Sequence, residues 1–261
     1  MRRLAALLFV LSAAPALAQG FDHSHRHWDA LLKSHVVLIE GGKASQTDYA
    51  GMARDRAALK SYLGGLSGVT EAEFSGWSRS RRMAFLINAY NAFTVEKILT
   101  RYPELKSIWD FGKIFGNPFK DHFFRLFGRA SSLDRIEQEM LRKPGAYDEP
   151  RVHFALNCAS VGCPMLREEA YVAERLEQQL EEQARRFLSD RTRNRVSADG
   201  RLEVSKVFDW YQEDFGARER YFARYARLLA GEPGQQKLVA EGKAPILFLE
   251  YDWTLNDARK R

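Results

Sequence analysis

Two cysteines, Cys158 and Cys163, are the side chains of this sequence with the clearest chemical potential. Four residues separate them, which differs from the Cys-x-x-Cys spacing of redox motifs. Gly162 permits a tight turn and Pro164 favours an extended Cys163, so the two Cα atoms can come within disulfide distance. The spacing therefore predicts a Cys158–Cys163 disulfide, which would stabilise the fold by about 2 kcal/mol.

The alternative interpretation makes Cys158 a thiolate nucleophile. A nucleophilic cysteine needs a base within hydrogen-bond reach. His153 is the nearest histidine in the sequence and is the first candidate for that base, with His122 as the second. Glu137 and Asp252 are the candidates for the carboxylate that would orient the imidazole.

The run of residues 152–158 is apolar except for one histidine, which predicts a buried strand. In an extended strand His153 shares a face with Asn157, whereas Cys158 faces the other way. The chain must therefore turn back after the strand if His153 is to reach Cys158. No histidine follows His153, so the papain-type order of cysteine before histidine is excluded. A buried, neutral His153 bonded to a carbonyl is the alternative role.

Asn88 and Asn91 lie in a segment that is apolar on nearly all sides, which predicts a buried helix. The two amides are three residues apart and share a helix face. They either line a ligand pocket or act as an internal brace, because a buried amide without partners costs about 1–3 kcal/mol. The predicted pocket residues are Asn88, Asn91, Glu137, Asn157 and Asp252.

Two segments, residues 209–214 and 251–256, combine aromatic residues with carboxylates. Such clusters either line a ligand cleft or pack in the core. Asp209 and Asp214 are five residues apart on a predicted helix and do not share a face well. The sequence therefore does not support a paired-carboxylate mechanism.

Three alternate histidines, His23, His25 and His27, would project to one side of an extended segment. No further ligands are indicated along the chain, so the sequence predicts no metal site. It also contains no phosphate-binding glycine loop, no Gly-x-Ser-x-Gly motif and no zinc-protease helix motif. No cofactor is predicted.

The elements that must position these residues are mostly helices. Apolar spacing and capping residues predict helices over residues 28–39, 54–63, 78–101 and 132–142, and Thr70-x-x-Glu73 opens a short one. Asp199-Gly200 predicts a hairpin, and residues 246–251 a strand. We predict a helix-rich α+β fold in a single domain, residues 19–261, with a small, mainly antiparallel sheet that carries the 151–159 strand.

Residues 1–18 have the pattern of a secretory signal peptide, with Arg2 and Arg3 before a short apolar run and Ala16-Leu17-Ala18 as the cleavage pattern. The protein is therefore expected to be exported, and periplasmic or secreted after cleavage near Ala18. No run of 18 or more apolar residues exists, so an integral membrane protein is not expected. The basic residues alternate with acidic ones within a formal net charge of +6, which does not indicate nucleic-acid binding.

Seven short segments in order resemble the domain of unknown function 547 family, over nearly the whole mature chain. These segments are Phe21-Asp22-His23, Asn88–Ala92, Leu133–Glu137, Arg151–Cys158, Gly162-Cys163-Pro164, Phe208–Phe215 and Tyr251–Asn256. The resemblance implies no established activity. The family's helix commonly reads Ile-Glu-His, whereas this chain has Gln138 at the third position, so any role of that histidine is lost here.

Two functions are compatible with these residues. The first is a non-catalytic binding or scaffold domain with a Cys158–Cys163 disulfide. The second is a thiol-dependent hydrolase or transferase that acts on a peptide-like or small thiol substrate through Cys158 and a histidine. In either case the expected partner is a small molecule or a peptide.

Overall fold

The computed structural model describes residues 20–112 and 116–259, so the predicted signal peptide lies outside the described residues. Helices dominate this part of the chain. The α-helices are α1 (Arg26–His35), α2 (Tyr49–Arg54), α3 (Arg56–Gly68), α4 (Glu71–Ser75), α5 (Arg79–Leu99), α6 (Val152–Ala155), α7 (Leu176–Ser189), α8 (Val207–Trp210), α9 (Gln212–Phe215), α10 (Arg218–Arg224), α11 (Ala226–Leu229) and α12 (Pro233–Ala240). Short 3₁₀ turns cover Glu40–Gly42, Ile108–Gly112 and Ala173–Arg175, and Arg135–Leu141 forms a π-helix.

Within the described residues, seven short strands form three small sheets. They are β1 (Val36–Ile39), β2 (Ala44–Thr47), β3 (Phe124–Leu126), β4 (Arg129–Ser131), β5 (Arg195–Val196), β6 (Leu202–Val204) and β7 (Ile246–Phe248). The β1–β2, β3–β4 and β5–β6 pairs are antiparallel, and β7 adds to β6 in parallel. The prediction of a helix-rich α+β fold with small, mainly antiparallel sheets is confirmed.

Helix α5 is the central element of the fold. The Ser78 hydroxyl caps it by accepting the Arg81 N–H, and every residue from Met83 to Leu99 is buried. A helix that is apolar on all sides must be surrounded by other elements, and α2, α3 and the π-helix all pack against it. The predicted buried helix over residues 78–101 is therefore confirmed.

The buried side chains form two clusters. The first contains α1, α3 and α5 and is built around side chains such as Trp28 and Phe85. The second is built around Phe187, Phe208 and Phe222 from the C-terminal half of the chain. The two clusters meet at α6, where the adjacent residues Phe154 and Ala155 belong to different clusters.

The predicted strand over residues 151–159 is wrong. Its first residues form the one-turn helix α6, and the Leu156 N–H donates to the carbonyl of Val152. A short apolar run lacks the length to distinguish a buried strand from a buried helical turn, and Pro150 ahead of it favours a turn. The predicted hairpin at Asp199-Gly200 and the predicted strand at residues 246–251 are both found, as β5–β6 and β7.

Candidate active site

A cavity of about 440 Å³ lies where the two clusters of buried residues meet. Tyr90 and Leu156 of the first cluster form one side of it, and Val207 and Tyr211 form the other. Both cysteines and His153 are among its lining residues. The structure thus brings together, in one cavity, the residue types that the sequence marked as chemically capable.

The loop that carries both cysteines, residues 157–164, is bound to a distant segment, residues 252–256. The Val161 and Gly162 N–H groups donate to the carbonyls of Thr254 and Asp252, each at 2.8 Å. A Cβ atom at Gly162 would lie 2.9 Å from the backbone nitrogen of Asp252, so only glycine fits here. This pairing brings Tyr251 next to Cys158.

Asparagine side chains hold the same loop from its other side. Asn91 Nδ2 donates to the Ala155 carbonyl at 2.9 Å, and Asn91 Oδ1 accepts the Asn157 N–H at 2.8 Å. Asn157 in turn spans the loop, because its Nδ2 donates to the Pro164 carbonyl at 2.8 Å. The amides of Asn91 and Asn157 are therefore paired with the loop backbone, which fixes its conformation.

The Cys158 sulfur is surrounded by hydroxyl groups. Its Sγ lies 3.1 Å from Ser160 Oγ and 3.1 Å from the Tyr251 hydroxyl, and these two oxygens are themselves 3.1 Å apart. Burial raises the pKa of the Cys158 thiol, but hydrogen bonds from Cys163, Ser160 and Tyr251 to the thiolate outweigh burial and leave the pKa below its ordinary value. The thiolate is the form that attacks electrophiles.

Both cysteines are free thiols, so the predicted Cys158–Cys163 disulfide is wrong for this structure. The Cys163 sulfur accepts the Cys158 N–H at 2.9 Å and lies 3.6 Å from the Leu156 carbonyl, whereas the Cys158 sulfur faces Ser160 and Tyr251. The two sulfurs hydrogen-bond each other, and each also has partners of its own. Burial and the hydrogen bond to Cys158 raise the pKa of the Cys163 thiol well above its ordinary value.

His153 is held by a carboxylate that the sequence did not assign to it. Its Nε2 lies 2.6 Å from Asp214 Oδ2, and the same oxygen accepts a hydrogen bond from Arg142 Nε at 2.5 Å. Burial raises the pKa of Asp214, but the hydrogen bonds from His153 and Arg142 lower it more strongly, to about 2. The Tyr211 ring stacks on the imidazole at a centroid distance of 3.9 Å. The carboxylate therefore stays ionised and fixes the orientation of the imidazole.

His153 and Cys158 line the same cavity without a direct hydrogen bond between them in the described part of the chain. A catalytic hydrogen bond often tightens only when substrate is bound, so this geometry is compatible with proton transfer through substrate. His122, the second candidate base, is exposed and is not among the cavity's lining residues. Asp252 is also exposed, and its carboxylate accepts the Thr254 N–H.

Glu137 lies on the wall of the cavity, on the π-helix. π-helical segments are rare and are frequently found at functional sites. The Glu137 side chain accepts a hydrogen bond from the Tyr211 hydroxyl, and burial together with the Glu137 charge raises the pKa of Tyr211. The next residue, Gln138, also lines the cavity and accepts a hydrogen bond from Arg142.

The predicted pocket residues divide into two groups. Glu137 lines the cavity, whereas Asn88, Asn91 and Asn157 are not among its lining residues and are almost fully buried. Asn88 holds the backbone at Tyr171. Its Nδ2 donates to the Tyr171 carbonyl, and its Oδ1 accepts the Tyr171 N–H. The asparagines therefore have the bracing role that the sequence left open.

Aromatic side chains line the outer part of the cavity. Trp210 and Trp253 stack with centroids 5.7 Å apart, and Trp109 meets Trp253 edge-on at 5.3 Å. Trp210 is 44% exposed, which is unusual for so large an apolar side chain. An exposed aromatic group next to a cavity is typical of a ligand-binding surface.

The three N-terminal histidines do not converge on one point. His25 is buried, and its Nδ1 lies 2.7 Å from the Tyr62 hydroxyl, whereas His27 is exposed. Among residues 20–112 and 116–259 the structure contains no group of three or more histidine, cysteine or acidic side chains arranged to hold a metal ion.

Sequence reasoning did not identify the partners of the two reactive groups. These partners are Ser160 and Tyr251 for Cys158, and Asp214 for His153. Tyr251 is 93 positions from Cys158, and Asp214 is 61 positions from His153. The available signal was the aromatic–acid composition of residues 209–214 and 251–256, which both contribute to the site.

The fold and the cavity define a helix-rich α+β protein with a free thiol and a carboxylate-bound histidine in the wall of one cavity. Residues 74–188 match the model for a family described as "Protein of unknown function, DUF547". The predicted resemblance is confirmed over this part of the chain, which includes Glu137, His153 and both cysteines, but a match over nearly the whole mature chain was too broad. None of the curated proteins and none of the solved structures matches this chain.

A helix must be both long and apolar to cross a bilayer. None of the helices in residues 20–112 and 116–259 meets both requirements.

Proposed function

We propose that this protein is a thiol-dependent hydrolase or transferase that acts on a carbonyl group of a peptide-like or small thiol substrate. The observation that carries this proposal is the free Cys158 thiol, with its lowered pKa, in the wall of an aromatic cavity. The alternative, a binding or scaffold domain, was predicted with a Cys158–Cys163 disulfide, and both thiols are free in this structure.

In the proposed reaction the Cys158 sulfur attacks the carbonyl carbon, and the thiol proton reaches His153 through the bound substrate. A carbon–sulfur bond forms, the bond to the leaving group breaks, and the leaving group takes the proton from His153. Water, an amine or another thiol then attacks the thioester and gives a proton to His153. The carbon–sulfur bond breaks and the same proton restores the Cys158 thiol.

Asp214 supports the charged state of His153 in this sequence of steps. A histidine that accepts a proton becomes an imidazolium ion, which an ionised carboxylate at 2.6 Å stabilises. Arg142 keeps Asp214 ionised and in place from the other side. His153 and Asp214 thus have the roles of the base and its positioning carboxylate.

The test is the alkylation of the intact, reduced protein with iodoacetamide over a range of pH, followed by intact mass. We expect one fast modification, at Cys158, whose rate rises with a midpoint below the ordinary pKa of cysteine, about 8.5. The Cys163 thiol should react much more slowly, because it is buried and its pKa is raised. Equal reaction of both thiols, or a midpoint at or above the ordinary value, would contradict the proposal.

Three variants separate reactivity from catalysis. Cys158→Ala should abolish the fast modification, whereas Cys163→Ala should keep one modified site. His153→Gln should keep the modification but slow the turnover of activated thioester and ester substrates by about 100-fold or more. A stable mass increase on Cys158, equal to the acyl group of such a substrate, would identify the covalent intermediate.

We also propose that the protein is exported, with residues 1–18 as its signal peptide. N-terminal sequencing of the protein from the exported fraction should begin at Gln19. A protein that keeps residues 1–18 and stays with the cytoplasmic fraction would contradict this proposal.

A further inference from the structure

The charges that line the cavity are of one sign. Asp134 and Glu137 contribute carboxylates, and no lysine or arginine is among the lining residues in the described part of the chain. His153, the one basic side chain there, is bound to Asp214. The whole chain has a formal net charge of +6, so the negative charge of the cavity is a local feature.

Glu137 is the most informative of these groups. Its side chain is on the cavity wall, the residue is 8% exposed, and no ion pair is formed by it among the described residues. The nearby Arg142 guanidinium is already engaged by Glu213 and Asp214. Arg142 interacts with the Glu137 charge but forms no ion pair with it, so a cation that bound directly to this largely buried carboxylate would stabilise it further.

The aromatic rings of the cavity suit the same kind of ligand. Tyr211 donates to Glu137, so its ring lies next to the carboxylate, and Trp210 and Trp253 expose indole rings at the outer end. Ammonium and guanidinium groups are attracted to the faces of tryptophan and tyrosine, and the attraction grows when the site is desolvated. An anionic ligand would instead meet two carboxylates and the Cys158 thiolate.

We propose that the cavity selects substrates that carry a cationic group, an ammonium or guanidinium, on the acyl part that Cys158 attacks, with Glu137 as its counter-ion. This inference rests on the proposed function, because it assigns the substrate class of the same site. The aromatic rings contribute affinity for the cation and its aliphatic stem, and Glu137 determines the preference for charge. The substrate class is then a lysine-like or arginine-like acyl group.

The test uses the Cys158→Ala protein, so that binding is measured without any reaction. The probes are N-acetyl-arginine methylamide and its neutral isostere N-acetyl-citrulline methylamide, with the lysine and norleucine analogues as a second pair. We expect the cationic member of at least one pair to bind about tenfold more tightly, by calorimetry or by quenching of Trp210 and Trp253 fluorescence. Equal dissociation constants within both pairs, or no binding of any probe at millimolar concentration, would overturn the inference.

Glu137→Gln in the Cys158→Ala background tests the counter-ion. The change keeps the size of the side chain and its ability to accept the Tyr211 hydrogen bond, and circular dichroism checks the fold. We expect the preference for the cationic probe to fall to about twofold or less. Asp209→Asn is the matched control, because Asp209 is a more exposed carboxylate beside Trp210 that is not among the lining residues. A preference that survives Glu137→Gln, or falls equally with Asp209→Asn, would contradict the role of Glu137.

A second measurement uses the protein with Cys158 intact. The rates of modification by a cationic and an anionic methanethiosulfonate reagent are compared with those of a free thiol. We expect the cationic reagent to be favoured by about tenfold at Cys158, and Glu137→Gln to reduce that ratio. The alkylation experiment distinguishes failure of the proposed function from failure of this inference. If the proposed function is wrong, the pH midpoint of Cys158 alkylation is not lowered, whichever probes the cavity prefers.

Discussion

At the residue scale, hydrogen bonds from two hydroxyl groups and a neighbouring thiol lower the pKa of Cys158. Burial and the Cys158 charge raise the pKa of the Tyr251 hydroxyl well above its ordinary value, so Tyr251 stays protonated and donates to the sulfur. A neutral donor favours the thiolate only while it keeps its hydrogen bond. The reactivity of the thiol is therefore sensitive to single oxygen atoms.

Tyr251→Phe removes one such oxygen and keeps the ring that packs against Trp210. We expect the pH midpoint of Cys158 alkylation to rise, by up to about one unit, because the thiolate loses a donor. Tyr147→Phe is the control, since Tyr147 lies against Arg79 and does not contact the loop. An unchanged midpoint would show that the Tyr251 hydroxyl does not stabilise the thiolate.

His25 makes a separate prediction about stability. Burial, followed by the charge of His23, lowers the pKa of His25 to about 3. Below pH 6.5, the ordinary pKa of histidine, His25 binds a proton in the unfolded chain but stays neutral in the folded chain. The folded state therefore loses stability as the pH falls from 6.5 towards 3. We expect the wild-type free energy of unfolding to fall by up to about 1.4 kcal/mol per pH unit more than that of His25→Gln.

Chemical denaturation at several pH values between 6.5 and 4.5 measures this difference. His27→Gln removes an exposed histidine and should keep the wild-type slope. Parallel slopes for wild type and His25→Gln would contradict the assignment of a neutral, buried His25.

Part of the site could be predicted from the residue types in the sequence. Cys158, His153 and Glu137 are of types that do chemistry, and all three line the cavity. Asp214 and Tyr251 were not assigned, because a hydrogen bond between residues 61 or 93 positions apart leaves no local pattern in the sequence. Asn91 was predicted as buried, and only its contacts decided between brace and pocket wall.

At the scale of elements, the pairing of residues 159–162 with residues 252–256 determines where the thiol lies. Ala159 has a φ of 62°, which is unusual for a residue with a Cβ atom, and it directly follows Cys158. The surrounding hydrogen bonds, including that from Asn256 to the Ala159 carbonyl, hold it there. A strained backbone next to a reactive group is a frequent feature of functional sites.

Gly162→Ala tests this pairing. The new Cβ would lie 2.9 and 3.0 Å from backbone atoms of Asp252, which cannot rotate away. We expect a loss of about 1–3 kcal/mol in the free energy of unfolding and a higher pH midpoint of Cys158 alkylation, because Tyr251 is displaced. Denaturation curves and alkylation rates measure the two effects.

The matched control is Gly64→Ala, at a helical position of α3 where a Cβ would meet nothing within 4 Å. This change should stabilise the protein by about 0.5–1 kcal/mol, because alanine favours the helix and restricts the unfolded chain. If both substitutions destabilise to the same extent, the close approach at Gly162 is not the reason.

Elements with a long local pattern were predictable, and those defined by remote contacts were not. Helix α5 was predicted from its cap at Ser78 and its apolar length, and the β5–β6 hairpin from Asp199-Gly200. The α6 turn was mistaken for a strand because so short an apolar run has no clear period. The π-helix was predicted only as a helix, because apolar spacing does not distinguish a π-helical register from an α-helical one.

At the scale of the whole molecule, two clusters of buried residues share one boundary. Phe154 and Ala155 belong to different clusters, and α7 contributes Leu180 to the first and Phe187 to the second. Elements that take part in both clusters couple their unfolding. The prediction of a single domain over residues 19–261 therefore has a direct test.

We expect one cooperative unfolding transition, with coincident curves from far-UV circular dichroism and tryptophan fluorescence. Trp28→Phe and Trp210→Phe report separately on the two regions, because Trp28 is buried in the first cluster and Trp210 packs beside Tyr251 near the second. Separate midpoints for the two signals would mean that the clusters unfold as independent domains.

Cys158 and Tyr251 are 93 positions apart in the sequence, so the parts of the site are synthesised at different times. During synthesis the chain around Cys158 is complete before Tyr251 and the segment that binds the loop have been added. The Tyr251 hydrogen bond, one of the interactions that lower the pKa of Cys158, forms only when this later segment folds back onto the loop. The full reactivity of the thiol therefore depends on the folding of the C-terminal segment.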